Sequence, residues 1–306
     1  MANTSLQLLK VLSFSISITI FFSCEKNIDL KLPDYQDKIV IEGTIENGQP
    51  PMVLITKSLP YFSSIPMDSL LSKLLVTDAI VTVTSGSGES EILTFSLDLN
   101  SPIYFSYRGR NLARENETYS LKIEWNNKIY TATTKIVNTF ELDSIGFNRI
   151  GDSSATVRVL LQDNPSSKDY YQFSCKVKHG KILNDRLWVY NIPIAFDDAA
   201  FNGLLFNYEV MRGIPSSLFA GTLSEDERRT YFRPIFKIGD TVYIKHSLMD
   251  YDSYRFWSTA GSEIMFGQNV FISPPPIVGN IKCNDGSQVL GAWCGYASKI
   301  DELIFK

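Results

Sequence analysis

Histidine is almost absent from this sequence. The 306 residues hold two, His179 and His246. Neither lies in an H-E-x-x-H pattern or has a second His at ligand spacing, so the common zinc-hydrolase arrangements are excluded. The serine-hydrolase elbow G-x-S-x-G is also missing, because Ser85-Gly-Ser-Gly88 lacks its frame and reads as a turn. No G-x-x-x-x-G-K phosphate loop occurs. Nor is there an excess of positive charge: 29 Lys and Arg stand against 33 Asp and Glu, for a net charge of −4. Nucleic-acid binding wants a basic face, and that function class is set aside. An apolar run long enough to cross a membrane is lacking too. Val11–Phe22 is about twelve residues, diluted by Ser13, Ser15, Ser17 and Thr19, and a helix that short cannot span about 30 Å of hydrocarbon.

That short run has the layout of a signal. A cation, Lys10, precedes it; Ser23 and Cys24 follow it; and Glu25-Lys26-Asn27 comes next in place of a stop-transfer cluster. Phe21-Phe22-Ser23-Cys24 fits a loose lipobox, with a small residue before the cysteine and bulky apolar ones before that. Residues 1–23 are therefore expected to be a lipoprotein signal peptide, with Cys24 the lipid attachment point. Residues 24–38 are polar, contain Pro33 and show no period, so they are expected to be a tether. From Glu25 to Lys38 it would reach at most roughly 46 Å.

The remainder reads as strands. Ile39–Ile45 alternates and is rich in β-branched residues; Met52–Thr56, Ala79–Thr84, Glu91–Leu97 and Ile103–Tyr107 follow. The clearest hairpin is Tyr119–Trp125, Asn126-Asn127, Lys128–Thr134, because Asn tolerates the positive φ of a two-residue turn. Strands of this number and length predict an Ig-like β-sandwich over 39–140. After a seam near Thr139–Asp143, a second β-rich domain is expected over 141–306, with strands at 155–161, 170–178, 187–190, 204–211 and 241–247. One amphipathic helix is predicted near 250–266, capped by Asp250 and stopped by Gly267, with Tyr251, Tyr254, Trp257, Gly261 and Ile264 on one face. Gly261 is expected to let a sheet approach closely. The fold class is thus mainly β.

Without Cys24, three cysteines remain. Cys175 alternates with apolar residues and is expected to be a small core residue. Cys283 and Cys294 flank the turn signal Asn284-Asp-Gly-Ser287, which admits a Cys283–Cys294 disulfide, with two buried free thiols as the alternative. Asp197-Asp198, with Asn202-Gly203 nearby, could offer oxygens to Ca²⁺ but lacks EF-hand spacing and reads first as a solvated loop. His246 reads as a surface or partly buried strand residue. Tyr104, Tyr107, Tyr170, Tyr171, Trp188, Trp257 and Trp293 could stack on sugars, but their spacing is that of core or interface. No catalytic residues, metal or cofactor are expected.

The lipobox, Ile39-Val-Ile-Glu-Gly-Thr-Ile45, the aromatic helix after Leu248-Met-Asp250, and Pro-Pro-Pro276…Gly279-Asn-Ile-Lys…Gly291-Ala-Trp…Gly295-Tyr together resemble the domain-of-unknown-function 4249 family of Bacteroidota lipoproteins. The resemblance covers nearly all of the mature chain, departing at Gly279, where related sequences usually carry Ser. It implies an outer-membrane lipoprotein with an Ig-like N-terminal domain, on the cell surface or the periplasmic face, typically encoded near a TonB-dependent receptor. The expected function is a non-enzymatic binding or accessory module in nutrient uptake. The alternatives are a secreted hydrolase of glycans or peptides and a structural or adhesive envelope protein.

Overall fold

The computed structural model describes residues 38–58, 73–98, 103–179, 183–184, 187–212, 235–267 and 271–306. The expected signal, Cys24 and nearly all of the tether lie outside them. Asp37–Lys306 is one compact unit, 53% of the chain is strand and 8% helix, and the mainly β expectation holds.

The N-terminal strands are β1 (Ile39–Glu46), β2 (Met52–Lys57), β3 (Ile80–Ser85), β4 (Ser90–Leu97), β5 (Phe105–Arg108), β6 (Glu117–Trp125) and β7 (Lys128–Ile136). They form the Ig-like sandwich. β4 turns the sheet over: its first half, Ser90–Leu93, pairs with β3, and its second half, Thr94–Leu97, pairs with β5. A strand that changes layers in mid-course makes a sandwich corner. The β6–β7 hairpin turns at Asn126 and Asn127, both at positive φ (49° and 57°), as a two-residue turn that keeps the strand twist requires.

Beyond β7 come β8 (Ser144–Arg149), β9 (Ser154–Gln162), β10 (Tyr170–His179), β11 (Leu183–Asn184), β12 (Val189–Tyr190), β13 (Phe196–Asp197), β14 (Leu205–Val210), β15 (Phe236–Lys237), β16 (Asp240–Met249), helix α1 (Tyr251–Phe266), β17 (Lys282–Cys283) and the 15-residue β18 (Leu290–Ile304). β8, β9, β14 and β15 form a separate small sheet centred on β9. The rest join the N-terminal strands in one 14-stranded sheet, ordered β11-β10-β16-β18-β1-β2-β5-β4-β3-β6-β7-β17, with β12 and β13 each pairing β10 beside this path.

The expected division at 140 is not where the strands part. β1 pairs in parallel with β18, from Val40↔Leu290 to Glu46↔Tyr296, and β17 pairs with β7. Trp293 of β18 is 0% exposed and donates from its indole Nε1 to the Tyr119 carbonyl of β6 at 3.0 Å. A residue from near the C-terminus thus fills the interior of the N-terminal sandwich, and one large apolar cluster runs through both expected domains.

The space for that ring comes from a glycine. Gly43 stands opposite Trp293 in the parallel register, and a Cβ there would lie 2.5 Å from the ring's Cε3. The Asn280 side chain then bonds both backbone groups of Trp293, accepting from its N–H at 2.9 Å and donating to its carbonyl at 2.8 Å.

Successive β18 side chains face opposite ways. Trp293 and Ala297 point into the large core, whereas Ala292, Cys294 and Tyr296 form a second cluster with Tyr254, Phe256 and Trp257 of α1. The helix covers the sheet's outer face, which explains the unbroken buried run in β18. Asp250 caps α1 by accepting from the Ser253 amide at 2.9 Å; its other oxygen accepts from the Thr134 hydroxyl and the Lys135 amide, both at 2.8 Å, tying the helix start to β7. The predicted helix span holds, but its buried face is different. Ser253, Ala260 and Gly261 are buried, while Tyr251 and Ile264 are exposed. Gly261 meets Ile194 of a loop, not a sheet.

Two substitutions test the Trp293–Gly43 fit. Trp293→Ala should cost about 3–5 kcal/mol through the cavity it leaves. Gly43→Ala should cost about 1–3 kcal/mol by overpacking. The double variant should cost clearly less than the sum, because removing the ring removes the clash. Denaturant midpoints of the four proteins in the cycle provide the measurement.

Candidate functional site

The densest group of ionisable side chains lies where three strand ends converge. Asp163 follows β9, Asp169 precedes β10, and Asp198 follows β13. One carboxylate oxygen from each lies within 4.8 Å of the others. Asp163 is 1% and Asp198 2% exposed, so Asp198 is not on the solvated loop expected for it. Its expected companion Asp197 points elsewhere, 3.9 Å from Lys168 Nζ. Asn202 is exposed, and Gly203 contributes only its amide, 2.8 Å from Asp163 Oδ2.

Local chain geometry assembles the group. Asn164 makes a tight turn after β9, its side chain accepting from the Ser166 amide at 3.1 Å. The Asp169 amide donates to Asp198 Oδ2 at 2.8 Å, and the Ser167 hydroxyl to Asp169 Oδ2 at 2.9 Å. The Tyr171 hydroxyl donates to Asp163 Oδ1 at 2.6 Å. Burial, and then this bond to a carboxylate, push the Tyr171 phenol far above its usual range. Burial also raises the Asp169 carboxyl, with Asp163 and Asp198 adding like-charge repulsion.

Oxygens within 4.8 Å of one another would fit around a hard dication, whose oxygen ligands sit at about 2.3–2.6 Å. The hydrogen bonds above hold the carboxylates with or without an ion, and they tie the ends of β9, β10 and β13 together. The sequence signal for this site was weak. Asp163 read as a strand terminator, Asp169 carried no signal, and only Asp198 stood in a pair that invited attention.

A shallow cleft of about 320 Å³, open solvent included, lies on the N-terminal sandwich beside Glu89, Glu91, Arg114 and Glu117. Its acids are engaged. Glu91 accepts from the Arg110 amide at 2.8 Å, and Glu117 accepts from the Ser87 amide at 3.0 Å, bonds to Ser87 holding its carboxyl below the usual range.

The two cysteines expected to pair are both free. The turn at Asn284–Ser287 forms, with the Gly286 amide donating to the Cys283 carbonyl at 3.1 Å. Its flanks do not pair with each other, however. Cys283 pairs with Tyr130 of β7 and packs on the large core, whereas Cys294 pairs with Thr44 of β1 and faces the helix. The thiols sit in different clusters, and burial pushes Cys294 up to about 12. Cys175 is a buried core residue, as expected.

His246 is 1% exposed, not the surface or partly buried residue expected. Its Nε2 meets Asp301 Oδ2 at 3.0 Å, its Nδ1 has no partner among the described residues, and Phe140 stands edge-on at 4.7 Å. Burial lowers its pKa from the ordinary value, with Lys299 acting in the same direction and Asp301 and Glu141 opposing. Among the aromatics considered for stacking, Tyr107, Tyr171 and Trp293 are buried, and Trp188 lies beneath the ammonium groups of Lys176 and Lys245 at 4.8 and 5.4 Å.

A family model described as a domain of unknown function, DUF4249, matches residues 25–299. No curated protein matches. Among solved structures, the chicken CNTN1 FN1–FN3 domains align at 13% identity with a TM-score of 0.23, covering 69% of this chain and 60% of that one.

Two pH-dependent outcomes follow from these geometries. The folded-state pKa of His246 lies below its unfolded value, so the unfolded chain takes up the proton first as pH falls. Stability should therefore drop from about pH 6.5 down to the folded value, by at most about 1.4 kcal/mol per pH unit. His246→Gln should flatten that limb in melts run across the window. The folded pKa of Asp169 is raised, so its ionisation opposes folding as pH rises above 3.8. In chelator, Asp169→Asn should be more stable than the parent at pH 7, the gain fading as pH falls toward 3.8. A Ca²⁺-induced rise in the parent's Tm alone would instead report an ion among the three carboxylates.

Proposed function

The chain belongs to the DUF4249 family, and from that premise we propose that it is a lipid-anchored protein of the outer membrane. Its body is a non-enzymatic binding or accessory module, held by acylated Cys24 beside a TonB-dependent receptor that takes up nutrients. One observation carries this reading: Lys10, the apolar run to Phe22, Ser23 and Cys24 stand directly ahead of residue 25, where the family match begins, and the compact unit starts at Asp37. Among the described residues no helix is long and apolar enough to cross a membrane, so attachment would fall to the acyl chains. Each buried CH₂ contributes about 0.8 kcal/mol, and two or three long chains on one cysteine hold a protein stably.

Anchoring serves such a module by effective concentration. A short tether keeps the body close to a receptor in the same membrane, so even a weak contact stays occupied. The engaged acids of the cleft and the buried, apolar setting of His246 also suit a binding module better than a hydrolytic one.

Cys24→Ser should abolish incorporation of labelled palmitate and lower the protein's share in the membrane fraction, while the parent co-purifies with a TonB-dependent receptor in mild detergent. An unacylated, freely soluble parent would overturn the anchor. An acylated parent that repeatedly lacks a membrane partner would overturn the receptor role alone.

A further inference from the structure

The sheet register fixes which end of the body the tether leaves from. Lys38, the first described residue, donates from Nζ to Gln288 Oε1 at 2.8 Å, and the parallel pairing starts just beyond, at Val40↔Leu290. Helix α1 runs toward this same end. Near its start, the Ser253 hydroxyl takes the Gly295 amide at 3.2 Å. Two turns later, the Thr259 hydroxyl takes the Val278 amide at 3.1 Å, and the next residue, Gly279, backs directly onto the Gly291 carbonyl, while Gly291 lies against Ile41. By Thr259 the helix has thus reached the level of Gly291 and Ile41. The seven residues to Phe266 carry it about 10 Å further at 1.5 Å per residue. Lys38 lies about 10 Å beyond Ile41 in the same direction, at some 3.3 Å per strand residue.

What projects at this end is apolar. Ile264 is 70% and Phe271 94% exposed, and Met265, Phe266, Ile272 and Ile277 are also exposed. Scattered exposed apolar residues are ordinary on a protein surface. Six large ones within one short stretch of chain, beside the tether exit, form a patch of the kind that marks an interaction surface. Pro274, Pro275 and Pro276 sit inside the stretch and favour a stiff extended backbone, which lowers the entropy lost when the tip is immobilised.

We propose that this apolar tip, formed by the end of α1 and residues 271–277, seats directly on the lipid surface. The inference rests on the lipid-anchor reading: acyl chains on Cys24 put the bilayer within tether reach of Lys38, and the tip is at that end of the body. Aromatic and branched side chains then partition into the headgroup–acyl boundary, as they do at membrane interfaces. The body would stand on its tip, with the rest of the sheet directed away from the membrane.

The test separates tip from anchor by removing the anchor. Purified full chain carrying Cys24→Ser is mixed with phosphatidylcholine vesicles and floated, alongside the same chain with Ile272→Ser and Ile277→Ser added. Both substituted side chains are exposed, so the two proteins should melt alike. The tip reading expects the double substitution to weaken vesicle binding by about tenfold or more. Equal binding by the two proteins, or binding by neither, overturns the tip proposal and leaves the anchor untouched. A concentration-dependent dimer abolished by the double substitution, without vesicle binding, also overturns it and assigns the patch to a second copy. The anchor is read separately, as palmitate label on the parent chain.

Discussion

A tryptophan ring laid across a glycine, between two parallel strands about 250 residues apart in sequence, holds this molecule together. Trp293 enters the sandwich built by Ile39–Ile136 and bonds the Tyr119 carbonyl. It can do so because Gly43, its partner in register, has no side chain. Three further constraints follow from that placement. Asn280 must satisfy both backbone groups of Trp293. Gly291, at φ 93°, must pass against the Ile41 carbonyl, where a Cβ would come within 2.0 Å. The alternate side chains of β18 must find cover outside the sheet, and α1 supplies it. Short segments that look unrelated in sequence, Glu42-Gly-Thr44, Gly279-Asn280 and Gly291-Ala-Trp293, are thereby parts of one packing arrangement.

The sequence made local features readable and distant ones obscure. Asn126-Asn127 announced its hairpin because the positive-φ requirement is met within two residues. Asp250 announced the helix start because a cap acts across three. The parallel β1–β18 pair had no such signal: parallel strands need no turn between them, and alternation in Ile39–Ile45 says that one face is buried without saying against what. The expected boundary at 140 failed for this reason. The strand pattern breaks there, but the sheet crosses it. The helix face failed more mildly. Spacing grouped Tyr251 and Ile264 with Trp257, yet the buried positions are Ser253, Ala260 and Gly261, and Tyr251 and Ile264 stay exposed.

The cysteines show how period-2 parity overrules proximity in sequence. Ten residues and a sound turn separate Cys283 from Cys294, which would suit a hairpin with facing sulfurs. The turn forms, but each flank pairs with a strand it meets elsewhere, β7 or β1, and one thiol joins the large core while the other lies under α1. The acidic cluster is the converse case. Asp163 and Asp169 sit on the β9–β10 connection and Asp198 on the one after β13, and only the folding back of β13 against β10 brings their oxygens together. Sequence separation hid that group for the same reason that it hid the Trp293–Gly43 contact.

These constraints bear on how the chain would fold if it is exported as proposed. The N-terminal sandwich lacks a core residue until β18 is in place, so β1 to β7 cannot complete their packing alone. Contacts of such long sequence separation form slowly, because the intervening chain must close before they contribute. A protein secreted unfolded meets that demand only when its whole length is across the membrane. Once closed, β1 is wedged between β2 and β18 and is bonded along both edges. Force arriving through a tether at Lys38 would then load two strand ladders, one reaching the N-terminal layer and the other running through β18 and β16 to β10. In the proposed anchored protein the tether would thus pull on a strand bonded along both edges, an arrangement suited to a body that must stay folded while held.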